Sequence, residues 1–220
     1  MTTSSLDLAS LLCSRLCHDL LSPVGALTNG LELLAEEKDP VMRQKCFELL
    51  EQSATASANK LRFFRLAFGA AGGFGEMVPV AEARALIDAL VAANPRITVQ
   101  WSMADETLPK SAIKTLLNLS MIGIEALVRG GVLDIAGEVR AHGASGAGLA
   151  SELVIRASGP RIAFDPLVAQ ALAGTLPLAD LSSRTAPAAM LFQLAQGLGG
   201  SFQTHVTADA LVLGAVLPVR

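Results

Sequence analysis

Apolar residues return every three to four positions along the first third of the chain. Take Leu16 as origin and advance about 100° per residue. Leu12, Leu20, Pro23, Leu27, Leu31 and Leu34 then fall within about 60° of it. This seam predicts an amphipathic helix over 6–37, with Ser4 or Ser5 as its N-cap. Lys38-Asp39-Pro40 interrupts the pattern as a turn, and Pro40 opens a second helix over 41–68. On that helix Phe47, Leu50, Ala54, Ala58, Leu61 and Phe64 recur at helical spacing. So short a turn predicts two antiparallel helices. One hairpin cannot bury its apolar positions on both flanks. A second copy of the chain would complete a four-helix bundle with two-fold symmetry, so a homodimer is expected.

Gly69, Gly72, Gly73 and Gly75 then mark a boundary. They divide the chain into a helical hairpin, 1–74, and a second domain, 75–220. The later pattern mixes periods. Helices are predicted over 80–93, 109–129, 166–173 and 184–198, the last ended by Gly199-Gly200. Strands are predicted over 96–101, 132–140 and 153–157, with a Gly-rich turn at 141–150. A hairpin of 202–206 with 211–217 closes the chain. The fold class is α+β: a helical hairpin followed by an antiparallel-rich sheet with helices on one side.

Composition narrows the function. The chain has 220 residues, 51% hydrophobic but only 4% aromatic, so its core is built from Leu, Ala, Val and Ile. A net charge of −3 without a basic cluster argues against nucleic acid and anionic lipid as partners. Three scattered cysteines suit a reducing compartment. The first residues lack a basic n-region and no apolar run spans a bilayer, so a cytoplasmic protein is expected.

The most informative stretch is Arg15-Leu16-Cys17-His18-Asp19-Leu20-Leu21-Ser22-Pro23. His18 falls about 200° from the seam, facing away from it. Arg15, Ser22, Gly25 and Asn29 share or border that face, as do Leu11 and Leu21. A neutral imidazole is a good nucleophile near neutral pH, and its nitrogen can carry a phosphoryl group. Cys13 and Cys17 lie at about 60° and 100°, so they do not converge with His18 on a metal. His142 and His205 stand in no comparable motif, and Phe63, Phe64 and Phe68 read as core at the hairpin base.

These residues carry a resemblance. His18-Asp19 with Pro23 is similar to the phosphoacceptor box H-[ED]-x-x-x-P of histidine kinases, on their dimerisation hairpin. The stretch 116–127 resembles the N-box helix of their ATP-binding domain. The stretch 157–162 resembles their D-x-G-x-G box, and 185–200 their G-x-G lid with its following helix. Each ATP motif is damaged. Ile122 stands where an asparagine would hold Mg²⁺, and isoleucine offers no oxygen. Ala157 replaces the aspartate that reads adenine, and Arg161 replaces the box's second glycine. Thr185 and Pro187 fall on the lid glycines. A phosphoacceptor hairpin joined to a degenerate ATPase-like sandwich resembles the ChpT-type histidine phosphotransferases of alphaproteobacterial cell-cycle phosphorelays. That resemblance implies a dimer that binds no ATP and no cofactor of its own. It takes phosphoryl from the receiver domain of a CckA-like hybrid kinase and passes it to response regulators resembling CtrA and CpdR. The receiver supplies Mg²⁺.

Within that expectation His18 is the nucleophile. Asp19 holds the other ring nitrogen or a nearby cation, and Arg15 pairs with the incoming phosphate or with Asp19. Ser22 hydrogen-bonds within the site or to its own backbone. Gly25 gives clearance to a receiver helix or relieves crowding beside Pro23, which should bend the helix. Leu11, Leu21 and Asn29 complete a docking face. Two other readings compete: an ATP-dependent histidine kinase core, and a non-catalytic dimeric scaffold for response regulators.

Overall fold

A computed structural model describes residues 5–69, 75–92, 94–142 and 148–219. Helices α1 (Ser5–Glu36) and α2 (Pro40–Ala67) form the hairpin, each within two residues of its expected ends. Asp39 caps α2 by accepting from the Val41 N–H at 2.7 Å, and Pro40 takes the first helical position, where no N–H is needed. Arg43 reaches back to the carbonyls of Leu34 and Glu37, at 2.9 and 2.8 Å, and ties off the end of α1. Helix α1 continues through Pro23 as one element. Ser4 and the glycines Gly72 and Gly73 lie outside the described residues.

The hairpin closes on small residues. Leu8 and Gly30 of α1, and Cys46, Ser53 and Ser57 of α2, are its buried positions outside the base. A Cβ at Gly30 would stand 3.0 Å from Leu50 Cδ2, so the helices approach closely there. The expected stripe on α2 divides: Leu50 faces Gly30 and Phe64 is buried, whereas Phe47 and Leu61 are each 50% exposed, as is Leu31 of α1 at 59%. The expected seams therefore split into a thin contact within the hairpin and an open apolar face beside it. Small side chains allow the shorter helix–helix distance, and that contact wins within one chain.

The second part begins with β1 (Met77–Pro79), α3 (Val80–Val91) and β2 (Ile97–Met103). Next come β3 (Thr107–Pro109), α4 (Lys110–Ala126), β4 (Gly131–His142) and β5 (Gly148–Ser158). The chain ends with α5 (Pro166–Leu172), a 3₁₀ turn (Leu178–Asp180), α6 (Ala186–Leu198), β6 (Ser201–Val206) and β7 (Ala210–Pro218). The main sheet has the order β2-β4-β5-β7-β6. Only β2 with β4 is parallel, because α4 crosses over between them. The pair β1–β3 forms a separate ribbon that periodicity could not disclose, since three residues define no period. Residues 143–147 of the expected Gly-rich turn lie outside the description.

One core joins both parts. Phe63, Phe64, Leu66 and Ala67 of α2 belong to the same buried cluster as Leu116, Leu119 and Ile155. Phe64 stacks on Phe68 at 5.2 Å, as expected of aromatics at the hairpin base. Asn118 of α4 is fully buried and donates to the Ala67 carbonyl at 3.2 Å, so α4 receives the end of α2. Among the described residues no helix is long and apolar enough to cross a membrane.

Candidate functional site

His18 sits mid-way along α1 with its side chain 82% exposed, as the helical angle predicts. Its Nδ1 lies 3.1 Å from Asp19 Oδ1. A carboxylate oxygen accepts, so this contact suits an Nδ1 that carries the hydrogen, which in a neutral ring leaves the lone pair on Nε2. The other Asp19 oxygen, Oδ2, accepts from Arg15 Nε at 2.7 Å, one helical turn away. Arg15 also donates through Nη2 to Glu125 of α4. Of the two roles open to Arg15, the structure shows the pairing with Asp19. Partial burial lowers its pKa. The charges of Glu125 and Asp19, with their hydrogen bonds, outweigh that effect and raise it overall.

Beneath the histidine a second cation is engaged. Lys60 of α2 donates to the Asp19 carbonyl at 2.7 Å. Asp19 is thus held at its backbone by α2 and at its carboxylate by Arg15. Neither Lys60 nor Glu125 stood out in the sequence as a site residue. Each comes from a remote segment and matches only its own helix locally.

The rest of the outer face is mixed. Leu21 is 70% exposed, and Ser22 and Asn29 are exposed one and three turns beyond His18. Leu11 is half-buried rather than free. Gly25 has open space: a Cβ there would meet nothing within 4 Å outside its own helix and chain neighbours. Crowding by other elements of the chain therefore does not account for this glycine. Cys13 and Cys17 are exposed and free, Cys46 is buried and free, and the described residues hold no metal-binding cluster. His142 and His205 are exposed in strands.

Of the positions expected to have lost nucleotide chemistry, all but Arg161 are buried. Ala157 lies next to the C-terminal end of β5, fully buried in the apolar core. Gly123 of α4 packs opposite it so closely that a Cβ would stand 2.7 Å from Leu133 Cδ1. Ile122 is buried, and with Arg15, Glu125, Arg184 and Pro187 it lines the narrow cleft between α1, α4 and α6. Thr185 is buried before α6, and its hydroxyl accepts from the Ser182 N–H at 2.9 Å, closing a tight turn there. Arg161 is exposed, away from the buried positions.

Comparison with known proteins agrees with this architecture. The family of the histidine phosphotransferase C-terminal domain matches residues 80–210. Protein phosphotransferase ChpT of Brucella abortus (strain 2308) is 34% identical over 215 residues, 98% of each chain. The solved structure of a bacterial phosphotransferase is 32% identical, with a TM-score of 0.80 and 98% of each chain covered. An α+β chain of helical hairpin and mixed sheet, similar to these proteins over nearly its whole length, belongs to the ChpT-type histidine phosphotransferases, the phosphotransferases of a phosphorelay.

Proposed function

We propose that His18 is the phosphoryl carrier and that it shuttles the group between receiver-domain aspartates without ATP. The observation that carries this reading is an exposed imidazole whose Nδ1 faces a carboxylate, leaving Nε2 open to a partner. Nε2 attacks the phosphorus of a receiver's aspartyl phosphate. The N–P bond forms as the acyl P–O bond breaks, and the aspartate leaves as carboxylate. The Nδ1 proton stays on the ring, where Asp19 balances the positive charge that develops. The reverse step charges a second receiver. Mg²⁺ on the receiver neutralises the phosphoryl oxygens, so this chain needs no cofactor.

Residues 1–74 would be the dimerising, phosphoaccepting unit and 75–220 the degenerate ATPase-like unit. The open apolar face of the hairpin, with Leu31, Phe47 and Leu61, supports a homodimeric four-helix bundle. Leu21, Gly25 and Asn29 would form the docking face, with Leu11 at its border; Ser22 and Pro23 support His18. The donor would be the receiver of a CckA-like hybrid kinase and the acceptors regulators resembling CtrA and CpdR, in a cytoplasmic cell-cycle relay. Buried Ala157 and Ile122 speak against the ATP-dependent kinase reading.

In a test, ³²P-labelled receiver domain is mixed with the wild-type chain and with His18→Ala. Label is expected on the wild type alone, and equilibrium dialysis with ATP and Mg²⁺ should give no binding. Transfer through His18→Ala refutes the carrier role, and autophosphorylation from ATP restores the kinase reading.

A further inference from the structure

Glu125 belongs to α4, yet its carboxylate engages Arg15 of α1, 110 residues away in the chain. Four side chains stand in line. Glu125 Oε1 accepts from Arg15 Nη2, Arg15 Nε donates to Asp19 Oδ2 at 2.7 Å, and Asp19 Oδ1 faces His18 Nδ1 at 3.1 Å. We propose that Glu125 is a positioning residue for phosphotransfer, acting on His18 through Arg15 and Asp19 from a domain that carries no reacting atom. This rests on the reading of His18 as the phosphoryl carrier.

The geometry supplies the reason. A guanidinium is a planar fork that readily takes both oxygens of a single carboxylate. An Arg15 turned that way would compete with His18 for Asp19 Oδ1. Glu125 holds the Nη2 edge, so Asp19 receives Nε at Oδ2 and presents Oδ1 to the imidazole. The charge matters as well. An unbalanced guanidinium this near would oppose the positive charge that gathers on the ring as the N–P bond forms. Glu125 balances Arg15 and leaves Asp19 to balance His18. Lys60 holds the Asp19 backbone from below, so the carboxylate's orientation depends on Arg15. The sandwich thereby does something for transfer that neither hairpin helix can do: it fixes the far end of the line.

The full-length chain, labelled with ¹⁵N at histidine, tests this by long-range ¹H–¹⁵N spectroscopy. The wild type is expected to show His18 as the Nδ1–H tautomer, the minor form of a free histidine side chain. Glu125→Gln should move His18 toward the Nε2–H form and leave His142 and His205 unchanged. Glu125→Asp, which keeps the carboxylate, should retain most of the wild-type signal. In single-turnover transfer from the phosphorylated receiver of a CckA-like kinase, Glu125→Gln should slow the step at saturating receiver about tenfold. The half-saturating receiver concentration should stay the same, and Glu125→Asp should recover most of the rate. A wild-type tautomer, a wild-type rate, or a change confined to half-saturation in Glu125→Gln overturns the proposal. The parent reading fails separately, through transfer of label onto or through His18→Ala.

Discussion

Pro23 has no backbone N–H, so the Asp19 carbonyl one turn earlier lacks its helical donor. Lys60 takes that place from the neighbouring helix at 2.7 Å. A proline that looks like a defect in α1 thus creates an acceptor directly beside the histidine, and the second helix uses it. The two residues should be energetically coupled. Lys60→Met is expected to cost about 1–2 kcal/mol, because it leaves a part-buried carbonyl without a donor. In a Pro23→Ala background the restored backbone N–H can bond that carbonyl, and the same change should cost less than half as much. Urea denaturation of the wild type and the three variants measures the coupling; equal costs in both backgrounds would disprove it. The pattern of residues showed Pro23 and its place near His18. It could not show Lys60, whose relation to Asp19 exists only across the hairpin.

At the scale of elements, α1 presents three sides. One meets α2 through small residues, one is an open apolar face, and the third carries the exposed His18. Gly25 lies on the third. Glycine in a helix interior costs about 1 kcal/mol relative to alanine. Nothing in the chain crowds a Cβ at this point. Gly25→Ala is therefore expected to stabilise the protein by about 1 kcal/mol, seen as a higher thermal midpoint. On the proposed function it should also weaken receiver binding, measured by titration calorimetry. Tighter or unchanged binding would remove Gly25 from the docking face. Helix α4 serves two neighbours in a similar way. Its buried face closes the core through Leu116, Leu119 and Gly123, and Asn118 fastens the end of α2. The asparagine that resembles a nucleotide-site residue is engaged here in joining the two parts of the molecule.

At the scale of the whole molecule, the open stripe and the buried Ala157 lead to the remaining predictions. Phe47→Glu with Leu61→Glu places two charges on the exposed apolar face. Sedimentation should show a dimer for the wild type and a monomer for the double variant, while a persistent dimer would locate the interface elsewhere. Ala157→Asp puts back the acid that the ATP box would use. In this chain that carboxylate would enter an apolar core, so a loss of about 3 kcal/mol or more in stability is expected, without gain of ATP binding. Nucleotide binding by that variant would show that the cleft is only one residue from function. The division between sequence and structure follows from range. Helical period, the turn at Asp39-Pro40 and the outward angle of His18 depend on neighbours within a few residues, so the sequence alone determined them. The reading of Ile122, Ala157, Arg161, Thr185 and Pro187 as altered nucleotide-box positions likewise comes from the sequence, through its resemblance to the histidine-kinase motifs. Which stripe the hairpin closes on, the β1–β3 ribbon, and the positions of Lys60, Asn118 and Glu125 were decided only by tertiary structure. Those features depend on distances between segments far apart in the chain, and the packing of small against large side chains sets such distances, not any local period.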